Sequence, residues 1–61
     1  MTKTQALTAL TGDMRLTRKM AAYLLGQAER YGTGAHLKCE VTYTAADGYA
    51  IADYRKTRRN G

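Results

Sequence analysis

Apolar positions along the chain change period twice, and the changes divide it into four elements. Ala6, Leu7 and Leu10 recur at helical spacing, which predicts a short helix over 3–11. Thr2 stands where an N-cap belongs, Gln5 three residues later completes a capping box, and Gly12 is a natural stop. The stretch Gly12-Asp13-Met14-Arg15-Leu16 reads as a turn, after which Thr17 caps a second helix over 18–31. Met20, Ala21, Leu24, Leu25, Ala28 and Tyr31 fall on one stripe of that helix. Gly26 interrupts it at a cost of about 1 kcal/mol relative to alanine, as a weak spot or a close helix contact. Gly32 and Gly34 then end the helix and turn the chain.

From Leu37 the period drops to two. Leu37-Lys38-Cys39-Glu40-Val41-Thr42-Tyr43-Thr44 alternates apolar and polar, as a half-buried strand does. Asp47-Gly48 is a hairpin signal, and a second strand runs from Tyr49 to about Lys56. Two registers fit. A two-residue loop turns Ala50, Ala52 and Tyr54 toward the core, whereas a three-residue loop with a bulge at Gly48 turns Tyr49 and Ile51 inward. The second buries the larger residues beside Tyr43 and is favoured. Either way the core face of the first strand holds Leu37, Cys39, Val41 and Tyr43. The fold class expected is α+β, two N-terminal helices followed by an antiparallel hairpin (α-α-β-β), in one domain over 1–61.

Size bears on assembly. A chain of 61 residues buries only about 60% of its unfolded surface, and such a core supplies roughly 3–5 kcal/mol. Cys39 is the only cysteine, so no intrachain disulfide staples it, and no Cys/His set has metal-ligand spacing. A homodimer or a bound partner is therefore expected. No apolar run is long enough to span a membrane, and the N-terminus lacks a signal-peptide core. With one unpaired cysteine, this leads to the expectation of a cytoplasmic protein.

Charge supplies the functional lead. The net charge is +5, and it is unevenly spread. Residues 55–61 hold Arg55, Lys56, Arg58 and Arg59 and no acid, forming a basic C-terminal tail. Arg15, Arg18 and Lys19 gather at the start of the second helix, where open N–H groups add to their pull on anions. The hairpin between the two clusters is net negative, with Lys38 against Glu40, Asp47 and Asp53. Clustered cations of this kind neutralise phosphates, and Tyr54 beside the tail is placed to stack on a base. Reaction chemistry is absent from the pattern. His36 and Cys39 fall on opposite faces of a strand by alternation, and the five acids are scattered, so no enzyme and no cofactor are expected. Cys39 reads as a small core residue.

Two likenesses add to this. Met1-Thr2-Lys3-Thr4-Gln5 with Leu7 and Leu10, a turn, then Leu16-Thr17-Arg18-Lys19, Ala21 and Leu25 resembles the opening helix pair of the HU and integration host factor proteins. Gly48-Tyr49-Ala50-Ile51-Ala52 followed by Arg55, Arg58, Arg59 and Asn60 is similar to that family's strand and basic arm. The long arm, the glycine-phenylalanine-glycine corner and the last helix are missing. The resemblance implies a dimer that contacts DNA through backbone phosphates, with Lys3, Arg55, Arg58 and Arg59 carried over as contacts. In size and style the chain also resembles bacteriophage accessory proteins, including the anti-CRISPR group, which bind and disable a host machine. The leading expectation is a small module that contacts nucleic acid, DNA ahead of RNA, with low sequence specificity. The alternative is a phage-type inhibitor or regulator of a host protein with an acidic or nucleic-acid-binding surface, its cations steering association.

Overall fold

In the computed structural model, which describes residues 1–54, the order is α1 (Lys3–Gly12), α2 (Arg18–Tyr31), β1 (Thr33–Ala35), β2 (Cys39–Thr44) and β3 (Gly48–Asp53). The strands form one antiparallel sheet in the order β1-β2-β3. This is the expected α+β arrangement with one more strand. The expected phosphate contacts Arg55, Lys56, Arg58 and Arg59 lie outside the described residues.

Both helices begin where their caps dictate. Thr2 Oγ1 accepts from the Gln5 N–H at 3.1 Å while Gln5 Oε1 accepts from the Thr2 N–H at 2.9 Å. Thr17 Oγ1 accepts from the Met20 N–H at 3.1 Å. Gly12 closes α1 from inside the last turn, and Asp13 takes the C-cap. The α1–α2 turn is tighter than a solvated loop. The Met14 N–H donates to the Ala9 carbonyl at 3.1 Å and the Leu16 N–H to the Leu10 carbonyl at 3.0 Å. Met14 and Leu16 both join the core, and Arg15 between them is turned outward in the left-handed region at φ 60°.

The core lies between the helix pair and one face of the sheet. Ala6 and Leu10 come from α1, Ala21, Leu24, Leu25 and Ala28 from α2, and Cys39, Val41 and Tyr49 from the sheet. Cys39 is a buried free thiol. The hairpin adopts the three-residue loop. Thr44 pairs with Gly48, Tyr43 with Tyr49 and Val41 with Ile51, and Gly48 sits at φ 74°. The Tyr43 and Tyr49 rings lie 4.7 Å apart, centroid to centroid.

Four expectations fail here. Gly34 does not merely turn the chain: it is the centre of β1, pressed against α2. Only a residue without a side chain fits, because an added Cβ would stand 2.8 Å from the Leu24 carbonyl oxygen and 2.9 Å from Gln27 Cβ. Leu37 is not a core residue of a long strand. β2 starts at Cys39, and Leu37 sits in the β1–β2 turn, 94% exposed. Met20 and Tyr31, assigned to the buried stripe of α2, are 37% and 69% exposed. The buried arc centres on Leu24, Ala28, Ala21 and Leu25, and both residues lie on its flank. β3 ends at Asp53, short of Lys56. Gly26 has nothing within 4 Å of a built Cβ, so it is a weak spot in α2 and not a close helix contact.

Candidate nucleic-acid interface

The start of α2 carries three exposed cations. Thr17 satisfies the Met20 N–H, leaving the Arg18 and Lys19 N–H groups without an intrahelical acceptor, and the first turn holds no acidic residue. The side chains of Arg15, Arg18 and Lys19 are all exposed. None of the three forms an ion pair among the described residues. Cations at this end oppose the helix dipole by about 0.3–1 kcal/mol each, so helix stability does not explain them.

The β1–β2 turn is brought beside this cluster. Its two-residue loop, Leu37 and Lys38, is closed by the His36 N–H donating to the Cys39 carbonyl at 2.8 Å. The Lys38 N–H donates to His36 Nδ1 at 3.1 Å. Lys38 Nζ donates to the Met14 carbonyl at 3.2 Å, one residue from Arg15. The Lys38 carbonyl in turn accepts the Tyr54 N–H at 2.9 Å. Tyr54, the last described residue, is therefore tied to Lys38, which is tied to the turn bearing Arg15. Asp13 and Asp53 lie at the same end, so Arg15, Arg18, Lys19 and Lys38 give it only a modest positive excess among the described residues.

Lys3 is not at that end. Its Nζ pairs with Glu29 Oε2 at 3.0 Å, at the start of α1 and the close of α2. The Tyr49 hydroxyl donates to the same carboxylate oxygen. These two hydrogen bonds, Tyr49 first, hold the Glu29 carboxyl below its ordinary value. The bond to Glu29, followed by burial, pushes the Tyr49 phenol up to about 12. The triad fastens α1, α2 and β3 together; sequence reading missed it because its members lie far apart in the chain.

Tyr54 is half-buried, and its hydroxyl donates to Glu40 Oε1 at 3.4 Å. Desolvation first, then Glu40, raises its phenol above the ordinary value. Thr33 Oγ1 donates to the other Glu40 oxygen at 2.7 Å. Tyr54 thus anchors the chain where β3 ends, with only part of its ring open to a base. Lys38 is the site residue that sequence reading passed over. It was the hairpin's single cation, and nothing local announced its tether to Met14.

Among the described residues no group of His, Cys, Asp and Glu is arranged to hold a metal ion, and no helix is long and apolar enough to cross a membrane. Comparison with known families, characterised proteins and solved structures finds no match to this chain.

Proposed function

We propose that the protein is a small binding module that contacts nucleic acid through backbone phosphates, at the end of the fold where α2 begins and β3 finishes. The observation that carries this reading is the relay from Tyr54 through Lys38 to Met14, which brings the end of the described chain to the turn that bears Arg15. Seven residues share the work: Arg55, Lys56, Arg58 and Arg59 from the tail, and Arg15, Arg18 and Lys19 from the turn and helix. Lys38 supports the joint between them. Lys3, engaged by Glu29 elsewhere on the molecule, is left out of this footprint although the HU-like resemblance would include it. Cations of this kind neutralise phosphates and read no base edges, so duplexes of different sequence should bind alike. DNA is the preferred nucleic acid on the strength of that resemblance, which also favours a dimer. A cytoplasmic location follows as part of the same proposal.

The test is binding of random duplex and single-stranded oligonucleotides at low and at physiological salt. Micromolar binding that weakens steeply with salt supports the reading. Charge reversal at Arg58 and Arg59 should abolish it, and retention of full affinity would remove the tail from the account.

A second reading rests on a different observation. Leu37, Tyr31 and Tyr23 are 94%, 69% and 59% exposed, which suits contact with a protein. On that reading the chain inhibits or regulates a host protein in the manner of phage accessory proteins, and the cations steer the encounter. Absence of oligonucleotide binding at low salt, with capture of a host partner that is abolished on substituting Leu37, would favour it.

A further inference from the structure

One face of α2 stays bare after the fold has closed. A helix advances about 100° per residue, so Lys19, Arg30, Tyr23, Gln27, Met20 and Tyr31 follow one another around about 120° of it, next to the buried arc. Tyr23 and Tyr31 are 59% and 69% exposed, and Lys19 and Arg30 are exposed as well. Among the described residues neither ring makes a hydrogen bond or a ring contact. Gly26, at the edge of this arc between Tyr23 and Arg30, has nothing within 4 Å of a built Cβ, so the surface between them is open.

Charge in this part of the chain has one sign. From Met14 to Cys39 the cations are Arg15, Arg18, Lys19, Arg30 and Lys38, and the only carboxylate is Glu29. Glu29 lies about 120° round the helix from Tyr23, where Lys3 and Tyr49 engage it. Bare rings between cations fit a polyanion that itself carries flat groups. Tyrosine rings stack on any base whose face is free. A duplex keeps those faces inside its own stack, whereas an unpaired strand can splay its bases onto aromatic side chains. Tyr23 and Tyr31 stand about 12 Å apart along the axis. A strand with bases spaced at about 3.4 Å crosses that distance in roughly three to four nucleotides.

We propose that the exposed face of α2 takes an unpaired nucleic-acid strand, with Tyr23 and Tyr31 as stacking platforms for its bases and Lys19 and Arg30 holding its phosphates. This rests on the phosphate-binding reading and adds to it a preference for a single strand over a duplex. Lys19 belongs to both surfaces, so the strand runs from the start of α2 along the helix toward Tyr31. Cations alone would hold any polyanion of equal charge alike. The two rings make the bases themselves part of the affinity.

The experiment titrates the full chain, at low salt, with a fluorescein-labelled oligothymidylate of about twelve nucleotides, within the usual range of single-strand site sizes. The comparison strand is abasic, with the same number of phosphates, so any difference in anisotropy-derived affinity reads the bases alone. A duplex of the same length and an oligouridylate run alongside, the last telling DNA from RNA as the source of the bases. The oligothymidylate should bind about tenfold or more tightly than the abasic strand. The paired substitution Tyr23→Ala and Tyr31→Ala should bring it down to the abasic level, and Tyr23→Phe with Tyr31→Phe should restore it, since the ring and not the hydroxyl stacks. Irradiation of a strand carrying 5-iodouracil should place cross-links on Tyr23 and Tyr31. Equal affinity for the thymidylate and abasic strands overturns this inference and leaves the phosphate reading standing. No binding of any strand overturns both. Full single-strand affinity in the paired alanine variant also overturns it, and loss of a protein partner by that variant would assign the face to protein contact instead.

Discussion

Replacing Gly34 with alanine tests the packing that builds the sheet. An alanine Cβ at that position stands 2.8 Å from the Leu24 carbonyl oxygen and 2.9 Å from Gln27 Cβ. Ordinary van der Waals separation begins near 3.4 Å, so β1 must back away from α2 by roughly half an ångström. The Leu24 oxygen belongs to the helix backbone, so no rotamer change relieves the clash. Overpacking of this kind costs about 1–3 kcal/mol, a large part of the roughly 3–5 kcal/mol expected of so small a core. At about 4–8 °C per kcal/mol for a domain of this size, a ~2 kcal/mol loss lowers the melting temperature by roughly 8–16 °C. Gly26→Ala is the internal control. Its Cβ meets nothing within 4 Å, and alanine in a helix interior gains about 1 kcal/mol over glycine. Far-UV circular dichroism melts of the two variants should therefore move in opposite directions. A Gly34→Ala protein melting at or above the wild-type temperature would refute the packing of β1 on α2.

Arg15→Gly should raise stability by about 1 kcal/mol in urea unfolding, because Arg15 holds a left-handed φ of 60° that a side chain resists. Glu29→Gln should bring the Tyr49 phenol down from about 12 toward its ordinary 10.0, read by ultraviolet titration of the five tyrosines. The same triad fixes two pH limits. Tyr49 is raised on folding, so its contribution is whole below pH 10.0 and is lost as pH climbs toward about 12. Glu29 is lowered, so its contribution is whole above 4.5 and is lost as pH falls through its depressed folded value. Denaturant midpoints measured across both ranges should flatten at the acid and alkaline ends when Tyr49 is changed to Phe.

Where local chemistry decides an element, the sequence announced it. Thr2 with Gln5, and Thr17, mark the helix starts because a cap acts within one turn. The hairpin register followed from the need to bury Tyr49 beside Tyr43, and Gly48 supplies the positive φ that the three-residue loop requires. β1 was invisible because Thr33-Gly34-Ala35 has no period of its own. It is a strand only because glycine lets it touch α2 while β2 pairs with it. Leu37 misled for a related reason: alternation continues smoothly through a position where the chain is already turning. At the site, exposure of Arg15, Arg18 and Lys19 was readable from polarity alone. The nearness of Tyr54 to the turn that bears Arg15 was not, since it depends on Lys38 reaching the Met14 carbonyl and Tyr54 reaching Lys38. Lys3 shows the reverse. Sequence likeness put it among the DNA-binding residues, and its partner Glu29, twenty-six positions along the chain, holds it elsewhere.

The most direct test is the salt dependence of binding to a short duplex of about ten base pairs, one helical turn. The wild-type chain should give a steep fall of log affinity with log salt. Changing Arg15, Arg18 and Lys19 together to Gln should flatten the slope by roughly 0.9 for each phosphate no longer neutralised, while Lys3→Gln should leave it unchanged. An undiminished slope in the triple variant, or no binding at low salt, would contradict the claim that this end of the fold is the phosphate-binding surface.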